Sequence, residues 1–592
     1  MAAVHDHVAL LYDDDAYVDS TQLRSDASGR LGVMGRQVAG KEFLDAYLNH
    51  GRWTELTALI RNRASQASIA NLWRSLPGMT TANRQLRIVG QANFHTHFFS
   101  TPPSRILHLP VPPDDRYAWV RQHRGPAAFA LSGVTHTLST ARIAQVLCNL
   151  VQSPFETYDT LFCTSKCAVA MVRAVTDNYC SYLRDRHGGQ PSCRVHLANV
   201  PLGVNPDKFR PATPEERTVA RQALDVRDDE VMVLCVGRLS FHAKAHPFPV
   251  YHGLAQAAQA TGRNVHLVFF GWAANEGIAQ CFRDGARVFA PGVRVTFVDG
   301  TKDEYRFKVW QAADACASLS DNFQETFGLV ITEAMASGLP IIAADWDGYR
   351  DQVVDGQTGM LVPTYMVKYA TTDATSRLLL EEMNYDQFLG ECNQAVIVDS
   401  HAAGAAFARM ITDEELRRRM GTAARQRVLQ QFTWAHVVRS YEDVWDAQEA
   451  ERQQHAKQLQ GQKRTFASPA CFPDLETAFE SFPTAILADD EHLVVDETGL
   501  ARLDQLLQMP LTSYAAARRT SDPAIIRAIL TAAAQPHSLT ELDELFQQRQ
   551  IDQPTARATM AWMLKYSLLR RAAVANSSSS SGPLAPVFGG EG

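Results

Sequence analysis

The feature that most constrains the fold is a series of short, almost continuous apolar runs, each separated from the next by a stretch of helical length. Val231–Gly237 (VMVLCVG) and Val265–Gly271 (VHLVFFG) are the clearest examples. Runs of this length are typical of strands that are buried on both faces, as in a parallel sheet covered by helices. The sequence therefore predicts a doubly wound α/β fold.

This alternation occurs in two blocks, and each block predicts its own parallel sheet. In the first block, helices are predicted at Lys41–Asn49 and Trp53–Ala64, and Pro206–Glu216 reads as a linker because it breaks both periodicities. Ligands of such sheets bind at the carboxyl ends of the strands, so two blocks predict a cleft between two Rossmann-like domains. The predicted strands are Val8–Tyr12, Leu86–Gly90, Arg105–Leu109, Ala127–Leu131, Thr160–Thr164 and His196–Val200, followed by Val231–Gly237, Val265–Gly271, Val293–Val298, Ala315–Leu319, Pro340–Ala344 and Met360–Val362.

Composition excludes several classes of protein. The 592 residues are 46% hydrophobic and 20% charged, which suits about three to five domains and rules out a disordered, collagen-like or small disulfide-bonded chain. The formal net charge of −7 argues against a nucleic-acid coat protein. No uncharged apolar run approaches roughly 18 residues, and the first residues are acidic, so we expect neither a membrane span nor a signal peptide.

The ten cysteines are scattered and include no CxxC pair. This pattern predicts reduced thiols rather than a zinc site or a disulfide framework. We therefore expect a cytoplasmic protein, with peripheral attachment to the inner face of the membrane left open.

The segment Ser318–Val362 carries the clearest chemistry. A polar loop leads into a predicted helix at Leu329–Ser337, and Gly328 at its start lets backbone N–H groups approach an anion, which the helix dipole also favours. Glu325 and Glu333 lie eight residues apart, one before the helix and one inside it. Because a carboxylate only accepts hydrogen bonds, these acids suit hydroxyl groups. Hydroxyls at both ends and phosphate between them describe a nucleotide sugar; a capped helix with two surface acids is the alternative.

A second candidate element is the stretch VGRLSFHAKAHP, which follows a predicted buried strand. Arg238 stands at the carboxyl end of that strand, and Lys244 comes six residues later. Two cations there can neutralise a diphosphate leaving group, Arg through its planar fork and Lys as a point charge. A solvated charged face is the alternative interpretation.

The stretch ETFGLVITE has the E-x7-E form and resembles retaining glycosyltransferases of the GT-B fold, of the glycosyl transferases group 1 (family 4) type. The neighbouring stretches SDNFQETFG, EAMASGLP and DWDGYRD resemble a bacterial subgroup of that family. The resemblance implies that Glu325 hydrogen-bonds the donor sugar and that Glu333 binds the ribose hydroxyls. It also implies that Phe327, Gly328 and Leu329 offer backbone N–H groups to the sugar and the β-phosphate.

The resemblance covers roughly residues 30–450 and concerns four further positions, Arg238, Lys244, Gly35 and His136. Family members place an Arg and a Lys with four residues between them, whereas five separate Arg238 from Lys244. Gly35, in GRQVAG, resembles the glycine-containing loop that faces the donor phosphates, and a plain helix-entry turn is the alternative. His136 matches a histidine beside the reaction centre, and a structural histidine is the alternative.

Two stretches have the DxD form that metal-dependent glycosyltransferases use, Asp13–Asp15 and Asp345–Asp347. We interpret both as loop charges, because the cations above already serve the diphosphate, and we predict no metal ion. The stretch Asp347–Asp351 is predicted to follow a strand, either facing the cleft or forming a turn with a salt bridge.

Residues 472–571 lie outside the resemblance. Helix signals there include Asp522 before Pro523 and a capping box formed by Ser538 and Glu541. Three short helices and a brief β-like run resemble a winged-helix domain, which we expect to dock a partner; DNA binding is the alternative. The predicted segments are an acceptor domain (1–210), a nucleotide-sugar domain (211–411), closing helices (412–450), a linker (451–471), the winged-helix-like domain (472–571) and a disordered tail (572–592).

The sequence thus predicts a GT-B glycosyltransferase, a hexosyltransferase in class, that moves a sugar from a nucleoside-diphosphate donor with retention and without a metal ion. The donor is a co-substrate, and no further cofactor is expected. The sequence does not identify the acceptor, for which a glycan, a lipid and a small molecule are the alternatives. Nucleic acid is not expected as a partner. The alternatives are a catalytically silent sugar-nucleotide or glycan-binding protein, a regulator whose C-terminal domain binds DNA, and a phosphorylase.

Overall fold

The computed structural model describes residues 6–17, 35–76, 84–100, 104–459, 469–514 and 522–572. The chain forms two compact units, Met1–Cys471 and Phe472–Gly592. The first unit contains two parallel sheets, and the second contains a small antiparallel sheet with short helices. Each unit is described by itself below.

The first sheet has seven parallel strands in the order β3-β2-β1-β4-β5-β6-β7. Its strands are β1 (Val8–Tyr12), β2 (Glu55–Ile60), β3 (Gln85–Gly90), β4 (Ile106–Leu109), β5 (Ala130–Val134), β6 (Thr160–Cys163) and β7 (His196–Asn199). The helices around it are α1 (Gly35–His50), α2 (Arg63–Ser75), α3 (Asp115–Arg124), α4 (Ala141–Gln152) and α5 (Lys166–His187), with short 3-10 or π turns at Asp14–Tyr17, Gln91–Asn93 and Thr96–Ser100.

The second sheet has six parallel strands in the order β10-β9-β8-β11-β12-β13. Its strands are β8 (Glu230–Val236), β9 (Asn264–Gly271), β10 (Arg294–Asp299), β11 (Ala315–Ser318), β12 (Ile341–Ala344) and β13 (Gly359–Val362). A separate antiparallel pair consists of β14 (Thr364–Met366) and β15 (Val396–Val398). The helices are α6 (Pro214–Ala223), α7 (Phe248–Thr261), α8 (Glu276–Phe289), α9 (Lys308–Ala312), α10 (Leu329–Ala336), α11 (Tyr349–Gln352), α12 (Ala374–Leu379), α13 (Tyr385–Asn393), α14 (Ser400–Thr412), α15 (Glu414–Gln431) and α16 (Trp434–Gln458), with a 3-10 turn at Asp303–Tyr305.

Both parallel sheets reverse their strand order at an equivalent place. In the first sheet the reversal lies between β1 and β4, and in the second it lies between β8 and β11. Loops that leave neighbouring strands in opposite directions open a crevice at their carboxyl ends, where open α/β sheets bind ligands. Two Rossmann-like domains of this kind form the GT-B architecture, and the predicted fold class is confirmed.

The main error in the predicted elements is the helix at Trp53–Ala64. The structure has β2 there instead, at Glu55–Ile60, and it pairs with both β1 and β3. A short apolar run fits a buried strand or a buried helix equally well, and here the sheet pairing on both sides decides the outcome. The predicted strand Ala127–Leu131 also lies three residues too early, since β5 begins at Ala130.

The chain returns from the second Rossmann-like domain to the first through α16. Trp445 in this helix is fully buried, and its indole Nε1 donates to Ser132 Oγ of β5 (3.2 Å). The amide of Gln448 donates to the carbonyl of Leu131 (2.7 Å). The predicted boundary at 450 between closing helices and linker falls inside this helix, which continues to Gln458.

The second unit forms around a three-stranded antiparallel sheet in the order β17-β16-β18. The capping box of Ser538 and Glu541 is present, and Asp522 caps the preceding helix, as predicted. The winged-helix interpretation stays a prediction, and the predicted disordered tail lies outside the described residues. The elements are α17 (Leu475–Ala478), β16 (His492–Val495), α18 (Glu497–Leu500), α19 (Leu503–Gln508), α20 (Pro510–Ser513), α21 (Pro523–Ala532), β17 (His537–Ser538), α22 (Leu539–Gln547), α23 (Gln553–Lys565) and β18 (Leu569–Arg571).

A search of the described helices for membrane-spanning candidates finds none with both the length and the apolar character that a crossing requires. All ten cysteines are unpaired as thiols in the structure.

We predict that Trp445→Ala lowers the free energy of unfolding of the first unit by about 3–5 kcal/mol, because it removes a fully buried indole from the core of the N-terminal domain. Urea unfolding followed by circular dichroism measures this loss. Leu429→Ala, on neighbouring α15 with a side chain 42% exposed, is the control and should change stability by less than about 0.5 kcal/mol. Equal effects of the two substitutions would contradict the anchoring role of α16.

Candidate functional site

The predicted site residues of the second domain meet at the reversal between β8 and β11. Gly237 and Arg238 directly follow β8, and the loop that carries Glu325 follows β11. A pocket at this edge is lined in part by Arg238, Lys244 and Tyr349. The strands are parallel, so their carboxyl ends lie at the same edge and bring together residues far apart in the sequence.

Lys244 and Glu325 form the central ion pair of the site. Lys244 Nζ lies 2.5 Å from Glu325 Oε2, and the glutamate side chain is only 12% exposed. Burial by itself raises the pKa of Glu325, but the Lys244 ammonium and the backbone N–H groups of Phe327 and Thr326 outweigh burial, so the pKa lies below its usual range. Glu325 is therefore a carboxylate at neutral pH.

Arg238 lies beside this pair on the β8 side. Its Nη2 is 3.5 Å from the carbonyl of Ala243, in the same loop that carries Lys244. Gly237 has φ +136°, and a Cβ there would lie 3.4 Å from Lys244 Cε. The five-residue separation of Arg238 and Lys244 therefore still brings both cations to one pocket.

The start of α10 is shaped by Gly328. This residue has φ +89°, a region that side chains disfavour, and a Cβ on it would lie 2.1 Å from Cε1 of Tyr349. Tyr349 is buried and its hydroxyl is hydrogen-bonded to Ser318 Oγ (2.8 Å). Phe327 is also buried. The first turn of α10, which begins at Leu329, carries N–H groups that have no partner within the helix.

Glu333 lies in the second turn of α10, where its surroundings favour the neutral acid. Burial raises its pKa to about 8, with a further contribution from the charge of Glu42 on α1, while Arg306 and Lys244 act in the opposite direction. Burial also raises the pKa of Glu42. Sequence reasoning missed Glu42, since no local pattern relates a residue of α1 to one almost 300 positions later.

The two predicted residues of the N-terminal domain lie on separate elements. His136 follows β5, and its Nε2 donates to the carbonyl of Pro110 (2.8 Å). Gly35 is the first residue of α1, so GRQVAG forms the first turns of the helix, which corresponds to the helix-entry alternative. A role of Gly35 at the donor phosphates stays a prediction.

Asp345–Asp347 lies in the loop after β12, whereas Asp13 directly precedes the 3-10 turn at Asp14–Tyr17. Asp345 Oδ1 pairs with Arg350 (2.7 Å), Asp347 accepts from Ser165 of the N-terminal domain, and Asp13 lies 3.9 Å from Arg61. Within the part of the chain that the structure describes, no group of three or more His, Cys, Asp or Glu side chains is arranged to hold a metal ion.

These parts place positive charge and carboxyl groups close together at one edge of the second sheet. Arg238, Lys244 and the N-terminus of α10 supply positive potential at one edge of the sheet. Glu325 is an acceptor beside them, and Glu333 stands one helical turn further on.

Residues 216–391 match the family model "Glycosyl transferases group 1", and this range contains Arg238, Lys244, Glu325 and Glu333. This segment is therefore similar to the glycosyl transferases group 1 family.

Curated relatives of this segment are D-inositol 3-phosphate glycosyltransferases. The chain is 33% identical to that of Mycobacteroides abscessus over 198 residues, which is 33% of this chain and 41% of the relative. It is 36% identical to that of Geodermatophilus obscurus over 196 residues (30% and 39%) and 26% identical to that of Corynebacterium diphtheriae over 251 residues (42% and 50%). The chain thus spans half or less of the length of these relatives.

Solved structures similar to the chain include Anabaena HepE in complex with UDP and glucose, with a TM-score of 0.45 and 13% identity over 74% of this chain and 99% of that one. WaaG, a glycosyltransferase involved in lipopolysaccharide biosynthesis, gives a TM-score of 0.37 and 15% identity over 77% and 100%.

We predict that Gly328→Ala damages the site, because the new methyl group would require a strained φ and would overlap the Tyr349 ring. The expected results are a loss of nucleoside-diphosphate binding in calorimetry and a thermal midpoint lowered by several degrees. Gly356→Ala is the matched control: its φ is +72°, but nothing lies within 4 Å of its Cβ position. That variant should lose about 1 kcal/mol of stability and keep binding. Normal binding by Gly328→Ala would contradict the close packing of the site.

Proposed function

We propose that the chain is a glycosyltransferase that moves a sugar from a nucleoside-diphosphate donor to an acceptor hydroxyl, with retention of anomeric configuration and without a metal ion. The observation that carries the proposal is the Lys244–Glu325 ion pair at the reversal of the second sheet, within a segment similar to the glycosyl transferases group 1 family. The activity of the relatives supports it as well, since each is a glycosyltransferase by name.

The proposed chemistry is the departure of the diphosphate. The bond between the anomeric carbon and the β-phosphate oxygen breaks, and negative charge grows on the diphosphate. Arg238, Lys244 and the N–H groups at the start of α10 would stabilise that charge, because donors fixed in advance need no reorganisation when the bond breaks. The acceptor oxygen then bonds to the anomeric carbon on the face that the diphosphate leaves, and the acceptor proton goes to the departing phosphate.

The two glutamates would bind hydroxyl groups at opposite ends of the donor. Glu325, a carboxylate held by Lys244, would accept hydrogen bonds from the donor sugar. Glu333 would accept hydrogen bonds from the two ribose hydroxyls. Its ionised form provides that pair of acceptors, whereas burial favours the neutral acid.

The acceptor is proposed only as a class. The relatives are named for D-inositol 3-phosphate, so a phosphorylated cyclitol is one acceptor to test. Glycans, lipids and other small molecules are the remaining classes, because the match to the relatives extends over no more than half of their own length. A cytoplasmic site of action fits a nucleotide-sugar donor.

We predict that nucleoside-diphosphate binding strengthens as pH rises from 6 towards 8. Burial raises the pKa of Glu333 to about 8, and the group must lose its proton to accept from both ribose hydroxyls, so the affinity should rise by up to about tenfold per pH unit. Calorimetric titration with UDP, GDP and ADP in parallel measures this, and proton release shows in buffers of different ionisation enthalpy. Glu333→Gln should bind more weakly and without that pH dependence; a wild-type affinity that falls with pH would contradict the ribose role.

Turnover is the decisive test of the activity. Release of nucleoside diphosphate from UDP-, GDP- and ADP-sugars, in EDTA and with candidate acceptors, should be detected for one donor. Arg238→Ala should lower kcat by about 10²–10³, roughly 3–4 kcal/mol, because it removes one fixed cation from the leaving group. Arg418→Ala is the control, since that arginine is exposed on α15 and pairs with Glu415. Nucleotide binding without turnover would favour a silent binding protein.

Two other experimental outcomes would each indicate a different function. A reaction that depends on orthophosphate would indicate a phosphorylase. A gel shift with duplex DNA at physiological salt, without turnover, would favour a regulator.

A further inference from the structure

The N-terminal end of α5, in the first Rossmann-like domain, contacts the loop that carries Glu325. Thr164 follows β6, and its Oγ1 is 3.5 Å from the carbonyl oxygen of Thr326, to which it donates. Thr326 is the direct neighbour of Glu325. The residue next to Glu325 in the second domain therefore contacts the first domain directly.

The same end of α5 also holds the loop after β12. The backbone N–H of Lys166 donates to Asp351 Oδ2 (2.7 Å), and Lys166 Nζ lies 3.5 Å from Asp351 Oδ1. Ser165 Oγ accepts from the backbone N–H of Ala168 as the cap of α5, and its hydroxyl hydrogen donates to Asp347 Oδ1 (3.3 Å). Three consecutive residues, 164–166, thus reach both loops that build the site.

Asp347 is held in an unusual conformation. Its φ is +45°, which a non-glycine residue adopts at a cost. Its Oδ2 is buried and has no hydrogen-bond partner among the described residues. The next residue, Gly348, packs so tightly that a Cβ would lie 2.7 Å from Phe327 Cα, so the backbones of the two loops are in direct contact.

We propose that Asp347 is a positioning residue of the donor site: by accepting from Ser165 it ties both loops to the N-terminal domain and thereby fixes the backbone that carries Glu325. This inference rests on the proposed function, since it assigns a role in placing the donor sugar. Asp347 acts through the loop and does not itself take part in the bond change.

The charge around Asp347 makes this contact sensitive to pH. Burial raises the pKa of the Asp347 carboxyl to about 8, and the charges of Glu325 and Asp351 add to burial, while hydrogen bonds from Ser165 and the Gly348 N–H act in the opposite direction. The titratable groups that interact with it are Glu325 on the donor loop, Tyr349 and Asp351 on α11, and Cys167 on α5. The nearby cations Arg350 and Lys166 pair with Asp345 and Asp351 instead. At neutral pH the carboxyl is mostly protonated, so no third negative charge joins Glu325 and Asp351.

The sign of the pH effect follows from linkage. The ordinary pKa of 3.8 applies when the loops are released, and the value near 8 applies when they are in contact. The contact therefore binds the proton more tightly and weakens as pH rises between these values, by up to about tenfold per unit. Above about pH 8 the effect levels off, because the group is ionised in both states.

The test measures hydrogen exchange of the amides of residues 166–168 in the full-length protein at pH 6, 7 and 8, as protection factors corrected for intrinsic rates. The wild type should lose up to about tenfold in protection per pH unit. Asp347→Asn keeps the shape and cannot ionise, so its protection should not change with pH; Asp347→Ala should be poorly protected throughout. Asp345→Asn, on the same loop and paired with Arg350, is the control and should follow the wild type.

The activity arm separates a positioning role from a purely structural one. Asp347→Ala should lower kcat at least tenfold while the dissociation constant for the nucleoside diphosphate stays unchanged, and Asp347→Asn should recover most of the loss. Wild-type protection that is flat with pH, or Asp347→Asn that loses protection like the wild type, overturns the inference. Unaltered kcat in Asp347→Ala overturns it while the proposed function stands. If the wild type turns over no donor, the proposed function fails, and the exchange arm alone decides whether Asp347 holds the loops.

Discussion

The site depends on one partly buried ion pair, between Lys244 and Glu325, because it determines which of the neighbouring carboxyl groups is charged. Lys244, at 2.5 Å, fixes Glu325 as the ionised member. Glu333 and Asp347 form no ion pair with a cation among the described residues, and burial raises the pKa of each to about 8. Environments that separate pKa values in this way give similar carboxyl groups different tasks. The roles proposed above for these three acids depend on the protonation state of each carboxyl group.

The backbone makes this distribution possible through very close packing. Gly348 brings the loop after β12 so close to the loop after β11 that a Cβ would lie 2.7 Å from Phe327 Cα. Tyr349 fills the space beside Gly328 and is hydrogen-bonded to Ser318, at the end of β11. The two loops therefore pack directly against each other on the second sheet.

The fold could be predicted from the sequence to a large extent because buried parallel strands have a strong local signal. The run at Val231–Gly237 needed no partner to be recognised, whereas β2 needed its pairing with β1 and β3. At the site, Glu325, Glu333, Arg238 and Lys244 lie in short motifs, and the structure brings Arg238 and Lys244 to one pocket and pairs Lys244 with Glu325. Glu42 and Ser165 had no such signal, because their relation to the site exists only once two domains have folded against each other.

The return of α16 to the first sheet has a consequence for how the chain is made. The N-terminal domain is not one continuous stretch: its core includes Trp445 and Tyr441, which follow the whole of the second sheet in sequence. During synthesis the first sheet emerges more than 200 residues before the helix that completes it, while the second sheet has all its strands by Val362. A chain that folds as it leaves the ribosome would therefore finish the later domain first, and the earlier one would wait with part of its apolar surface uncovered.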